Sequence, residues 1–171
     1  CRLDVIYRQA KESKIITASH EINHGRMPKI TNQENDDFFL IQTADNISCA
    51  NMVRKLAQYI PNKFGCDPLW DVQVLSPKRA SDVGTEALNR ALQEDFIPDV
   101  AVKRAQLEIK ERMKHNVKIS DEDKKILKQE INTPIFVARY NIFAVGDKVM
   151  QTVNSYQKGV FNGDIGQIIW F

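Results

Sequence analysis

Long apolar runs are missing from these 171 residues; none approaches the roughly 20 positions that a membrane-spanning helix needs. No charged leader with an apolar stretch opens the chain. Cys1-Arg2-Leu3-Asp4 leads at once into patterned sequence, so no signal peptide is expected. Cysteine is scarce. Cys1, Cys49 and Cys66 are odd in number, irregularly spaced and form no CxxC pair, which reads as reduced thiols in a cytoplasmic protein. Neither sign of charge dominates: 24 basic and 22 acidic residues leave a net +2. Nothing global therefore implies a polyanionic partner, and any nucleic-acid surface must be local. Internal repeats and low-complexity tracts are also absent. What is present is ordinary for a soluble globular protein, with 43% hydrophobic and 27% charged residues, which argues against disorder. The length fits one domain or one domain with a small appendage. The missing initiator Met and the abrupt end at Trp170-Phe171 are what a piece of a longer protein would show.

Periodicity predicts a helix over 13–24, capped by Ser13, with Ile15, Ser19 and Ile22 on one face, Gly25 as the left-handed residue after it and Pro28 beyond. The run 38–41, after the acidic turn Asn35-Asp36-Asp37, reads as a buried strand. A second helix opens at Asn46 or Ser48, carries Met52, Val53, Leu56 and Ile60 on its apolar stripe, and is expected to stop by Pro61. Residues 71–75 read as another strand, ended by Ser76-Pro77-Lys78-Arg79, and 81–93 as a third helix with Ala87, Leu88, Ala91 and Leu92 inward. Strands alternating with helices predict an α/β layer with a parallel sheet.

Residues 99–131 contain no Gly or Pro and are rich in charge. Val102, Ala105, Ile109 and Met113 recur at helical spacing, and Ser120 with Asp123 makes a capping box ahead of Ile126, Leu127 and Ile131. A charged helical hairpin is expected. Its stretch 103–118 holds six basic and two acidic residues, a pattern that is usually a solvated face and only sometimes a DNA contact. From Phe143 the pattern turns to β, with 148–152 as a strand. Asn162-Gly163 predicts a tight hairpin turn, and 167–170 continues a strand. So short an antiparallel piece must pack on the core or begin a small barrel.

His20-Glu21-Ile22-Asn23-His24 matches the HExxH pattern, which on a helix can hold zinc between two histidines with the glutamate as general base. Taken literally it predicts a metallopeptidase. Gly25 and Pro28 end the helix just past His24, no third ligand is marked by spacing, and the only other histidine, His115, lies in the charged hairpin. The alternative is a helix C-terminus where His24 meets the negative end of the dipole. No metal site is expected.

Three segments, in order, resemble RecD/TraA-type ATP-dependent DNA helicases, the family of the exodeoxyribonuclease V alpha subunit. The first is Leu3-Asp4-Val5-Ile6-Tyr7-Arg8-Gln9-Ala10 followed by 13–25, similar to the start of their second motor domain. The second is Val72-Gln73-Val74-Leu75-Ser76-Pro77-Lys78-Arg79 with Gly84-Thr85 and Leu88-Asn89-Arg90-Ala91-Leu92-Gln93. The third and most specific is Gly146-Asp147-Lys148-Val149-Met150-Gln151-Thr152 with Asn154, Tyr156 and Gly159 to Gly166, similar to the start of their inserted Src-homology-type barrel.

The resemblance implies part of a RecA-like motor domain over 1–98, the hairpin insertion and a return strand over 99–142, and an incomplete barrel over 143–171. It implies ATP and Mg2+ as cofactors of the whole protein, although this chain has neither a GxxxxGK[ST] phosphate loop nor a magnesium-binding acidic motif. Arg8 matches the cationic residue that meets the γ-phosphate, a role suited to a planar, permanently charged guanidinium; Gln9 is a second nucleotide-site candidate. Ser76, Lys78 and Arg79, at a presumed strand end before a helix N-terminus, are expected to hold backbone phosphates of single-stranded DNA. Lys148, Gln151, Asn154 and Tyr156 would add polar and stacking contacts. Single-stranded and duplex DNA are the expected partners, with other exodeoxyribonuclease V subunits as further candidates. A non-catalytic nucleic-acid-binding module is the competing reading.

Overall fold

A computed structural model describes residues 13–138 and 141–171 of the protein. The chain divides into two compact units, Cys1–Ala44 and Asp45–Phe171. Arg8, Gln9 and the rest of the opening motif lie outside the described residues.

In the first unit, α1 spans Lys14–Asn23. Ser13 was the expected cap, but its hydroxyl makes no capping bond. It donates instead to Asp37 Oδ2 at 2.5 Å, and the Lys14 amide donates to Asp37 Oδ1 at 2.8 Å. The cap is thus a carboxylate from the following loop, where it also meets the positive end of the helix dipole. Gly25 adopts φ +71° as expected, and the bonds Gly25 N to Ile22 O (2.9 Å) and Arg26 N to Glu21 O (2.8 Å) close a Schellman ending. The face shared by Ile15, Ser19 and Ile22 is exposed at both isoleucines; Ala18 is the buried residue of α1.

The run 38–41 is not a strand. The side-chain amide of Asn32 takes a neighbour's place, accepting from Leu40 N at 2.9 Å and donating to Leu40 O at 2.8 Å. Phe39 and Ile41 remain exposed.

The second unit begins with α2, Asn46–Phe64, capped by Asp45, whose Oδ1 accepts from Ser48 N at 2.7 Å. The expected stop at Pro61 does not occur. Proline removes one ladder donor, but its ring is buried beside the helix and three further residues follow before Gly65, at φ +64°, ends the turn. Helix α3 runs Thr85–Phe96, starting four residues later than predicted, with Leu88 buried. Arg54 on α2 forms a two-point ion pair with Asp95 on α3, its Nε donating to Oδ2 at 2.7 Å.

The charged hairpin is present as α4, Pro98–Lys114, and α5, Asp121–Leu127. Val100 is completely buried and Ile109 nearly so, while Met113 is exposed. Polar groups do much of the joining. Ser120 and Asp123 form the predicted capping box. Buried Gln106 donates from Nε2 to Ile126 O (3.0 Å) and Gln129 O (2.9 Å), tying α4 to the end of α5 and the chain just past it. Asp99, in the first turn of α4, accepts from the amides of Asn132 (2.9 Å) and Thr133 (2.7 Å), closing the base of the hairpin.

Among the described residues both sheets are two-stranded and antiparallel. No parallel sheet is formed among them, which corrects the predicted α/β layer. The run 71–75 is unpaired, and Leu75 is 85% exposed. An apolar run becomes a strand only when a neighbour accepts its ladder, and that neighbour is not specified by local pattern. The β structure begins earlier than expected: β1, Ile135–Ala138, pairs with β2, Asn141–Ala144, in the register Ile135 opposite Ala144. Then β3, Lys148–Met150, pairs with β4, Ile165–Gln167. Asn162-Gly163 does make a turn, closed by Asp164 N to Phe161 O at 3.0 Å. It does not join a simple hairpin, because β4 pairs back to β3 across the 3₁₀ turn Tyr156–Lys158.

Replacing Gln106 with Ala should destabilise the protein by about 1–3 kcal/mol, because two hydrogen bonds joining α4 to the end of α5 are lost. Chemical denaturation of the variant checks this, and a change under about 0.5 kcal/mol would mean water replaces the amide at no cost.

Candidate nucleic-acid interface

The loop 76–79 is organised from within. Ser76 Oγ donates to Val83 O at 2.7 Å and accepts from Lys78 N at 3.3 Å, so this hydroxyl closes the loop. The chain then folds onto the start of α3, where Thr85 N donates to Lys78 O (3.0 Å) and Glu86 N to Arg79 O (3.2 Å). Gly84 is required for this: a Cβ there would overlap the Arg79 carbonyl. These bonds correct one premise of the phosphate prediction. The loop does not leave a parallel strand, and two amides expected to be open to an anion are already spent on its own carbonyls. The chemistry left for a polyanion is in the side chains. Lys78 is exposed, and Arg79 Nε pairs with Glu86 Oε1 at 2.8 Å on an exposed surface. Such a pair is worth about 0–1 kcal/mol, so a phosphate could displace Glu86 cheaply.

Within the β region, Gln151 is half-buried and donates from Nε2 to Val153 O at 2.5 Å. Asn154 Oδ1 accepts from Asn162 N at 2.7 Å, while its Nδ2 lies 3.4 Å from Tyr156 Oη. Tyr156 is 77% exposed and meets Phe161 edge-on, ring centres 6.0 Å apart. Phe161, itself exposed, was not among the predicted contacts. The signal for it was an aromatic beside an Asn-Gly turn, which sets no direction for the ring. Together these side chains make a small aromatic and amide surface, able to stack on a base and bond its edge. Lys148 behaves differently: its Nζ donates to Val72 O at 3.1 Å and it is half-buried. Among the described residues no hydrogen bond joins the 76–79 side chains to those of 151–156.

Between these regions lies a polar junction. Gln93 Nε2 donates to Asp147 Oδ2 (2.6 Å) and Ile142 O (2.9 Å); Ala144 N donates to the same Asp147 oxygen at 2.8 Å. Arg104 Nη2 donates to Gln93 Oε1 at 3.1 Å. Its Nε lies 2.6 Å from Glu94 Oε1, an ion pair by distance whose N–H is not aligned for a hydrogen bond. Burial pushes the Asp147 carboxyl up from its ordinary range, against the opposing pull of the Ala144 amide, Gln93 and Arg104.

Three of the six basic residues of 103–118 are already paired. Arg104 serves the junction, Arg112 pairs with Asp123 at 2.5 Å, and Lys114 with Glu111 at 2.9 Å. In the histidine motif the glutamate is already engaged. Arg26 Nε and Nη2 hold both oxygens of Glu21, at 2.8 and 3.1 Å, and keep its carboxyl below the usual range. A carboxylate so held is a poor general base. His24 Nδ1 bonds His20 O at 2.7 Å, and among the described residues no three metal-ligating side chains gather. Among the described residues, no helix is long and apolar enough to cross a membrane.

Comparison with known proteins bears on this geometry. Residues 123–170 match the family described as the ATP-dependent RecD-like DNA helicase SH3 domain. The chain is also similar to the ATP-dependent RecD2 DNA helicase of Deinococcus radiodurans, with 26% identity over 168 residues. That alignment covers 98% of this chain and 18% of the relative, so the chain spans less than a fifth of the relative's length. No solved structure matches the chain. The RecD-like resemblance is thus carried by both comparisons, and an SH3-like domain of that kind is present.

The raised Asp147 carboxyl sets a pH dependence. The folded chain binds this proton more tightly than the unfolded chain. The site's contribution to stability therefore falls as pH rises from near 3.8, the ordinary Asp value, through the raised one. Asp147→Asn keeps an acceptor oxygen and should remove that slope, while Asp147→Ala leaves two donors unpaired and should cost about 1–3 kcal/mol. Thermal denaturation across the acid range checks both; an unchanged slope in Asp147→Asn would assign the dependence elsewhere.

Proposed function

We propose that this RecD-like chain forms part of an ATP-dependent DNA helicase acting in repair or recombination, contributing one wall of the nucleotide site and a guide for single-stranded DNA. The observation that supports this best is the coincidence of the SH3 match at 123–170 with the exposed Tyr156, Phe161 and Asn154 surface. Bases would stack on the aromatic rings and meet the amides of Asn154 and Gln151, while Lys78 and Arg79 hold backbone phosphates. Ser76 shapes their loop. Stacking tolerates any sequence because every base has a π face, which is what a translocating enzyme requires.

ATP with Mg2+ would supply the phosphoryl transfer, the motor domains of the complete protein closing on ATP and opening after hydrolysis. The residues that would hold the nucleotide's phosphates and metal are not in this chain, whose own contribution would be Arg8, with Gln9 beside it. A permanently charged guanidinium there would stabilise charge on the transferring group. In the complete protein, Arg8→Ala should lower ATP turnover roughly a thousandfold or more while nucleotide binding persists. Turnover within about threefold of the unsubstituted protein would remove Arg8 from the site.

Binding of labelled single-stranded DNA across a salt series tests the guide. Lys78→Ala with Arg79→Ala should reduce the slope of log affinity against log salt by about 1.4, two single-strand phosphate contacts. Tyr156→Ala should weaken binding by about 1–3 kcal/mol with little change in slope. If both variants bind as the unsubstituted chain does, the surface assignment fails. Affinity that is intact in a parent protein lacking any ATP response would favour the non-catalytic binding module.

A further inference from the structure

Residues 72–93 are held at both ends by two consecutive residues. At one end, Lys148 Nζ donates to Val72 O at 3.1 Å, four residues before Ser76. At the other, Asp147 Oδ2 accepts from Gln93 Nε2 at 2.6 Å near the end of α3, and the same amide reaches Ile142 O at 2.9 Å. Asp147 and Lys148 themselves sit where the chain turns from β2 into β3. That turn is fixed on its outer side by Gly146 N to Ile168 O (2.8 Å) and Ile168 N to Asp147 O (2.9 Å). Between the two grips, Lys78 O and Arg79 O are bound to the first turn of α3, and Gly84 lets the Arg79 carbonyl approach. These bonds engage the Lys78 and Arg79 carbonyls, leaving the side chains of these two residues as the loop's outward chemistry.

We infer that Asp147 and Lys148 form a two-point clamp on residues 72–93, and that Lys148 is a positioning residue for the 76–79 loop rather than a phosphate contact. A half-buried ammonium bonded to a main-chain carbonyl is a strong, charge-assisted hydrogen bond. Moving it to a phosphate would leave the Val72 carbonyl without that donor and release one end of the loop. Lys78, exposed and without such a tie, has no equivalent cost. The DNA-facing half of this inference rests on the function proposed above; the clamp itself does not.

Amine acylation of the full chain, followed by mass spectrometry, separates the two roles. The probe is an unstructured oligothymidine strand. In the free chain Lys148 should react more slowly than Lys78, and the strand should shield Lys78 while leaving Lys148 unchanged. Lys148 reacting as fast as Lys78 and becoming shielded by the strand would overturn the inference. If neither lysine is shielded, the DNA reading of the loop fails, and slow reaction of Lys148 still supports the clamp. Hydrogen exchange gives the second readout. Lys148→Met should speed exchange at the Thr85 and Glu86 amides roughly tenfold, the scale of one lost charged hydrogen bond. Lys148→Arg should restore it, Gln93→Ala should speed the same amides, and Lys78→Ala should not. Unchanged exchange in Lys148→Met would overturn the clamp whatever the DNA result.

Discussion

The hydrogen bond from Gln93 to Asp147 is the contact on which the second unit depends. It spans 54 positions in sequence and ties the end of α3 to the turn that opens β3. Half-burying a carboxylate is unfavourable, and here the cost is offset by an amide from Ala144, the Gln93 side chain and the nearby Arg104 charge. The raised carboxyl shows that the compensation is incomplete. A network of this kind resists partial loss, because each donor that loses its acceptor is left unpaired in a partly dry place. Asp147 and Gln93 therefore act as a joint between the end of α3 and the turn that opens β3.

The same economy governs the charged hairpin. Its sequence suggests a basic face, yet much of that charge is neutralised by neighbours at short range. The Arg104, Arg112 and Lys114 pairs hold α4 to α3, to α5 and to itself. Gln106 does for α5 what a cap would do, and Asp99 ties the returning chain to the start of α4. Around a small apolar centre at Val100 and Ile109, these polar closures set the angle at which the hairpin stands. By contrast, the exposed Arg79 and Glu86 pair contributes little to folding. That weakness suits a side chain meant to exchange partners.

Two sequence signals met the same fate for the same physical reason. HExxH put two histidines and a glutamate on one helix, but Arg26, placed by the Schellman turn that Gly25 permits, captured the glutamate. The loop before α3 looked like an anion site, but its own carbonyls took the helix amides once Gly84 let the backbone close. In each case a glycine allowed a tight return, and the returning chain satisfied groups that the motif had left free for a ligand.

Local order was legible from local residues. The capping box of Ser120 and Asp123, the left-handed Gly25, the stripe on α2, the existence of the hairpin and the Asn162-Gly163 turn all follow from interactions within a few positions. The RecD-like resemblance was likewise readable, because it rests on short motifs in order. Pairing was not legible. Whether 38–41 and 71–75 are strands depends on partners that periodicity cannot name, and here Asn32 and Lys148 answer their backbones instead. Lys148 shows the same limit: a lysine beside a turn looks free until a carbonyl 76 positions away is found against it. By itself the sequence determined which stretches become helices and which side chains are candidates to touch a polyanion. Only the tertiary structure decided which of those side chains were already taken, because hydrogen-bond partners distant in sequence are chosen by packing.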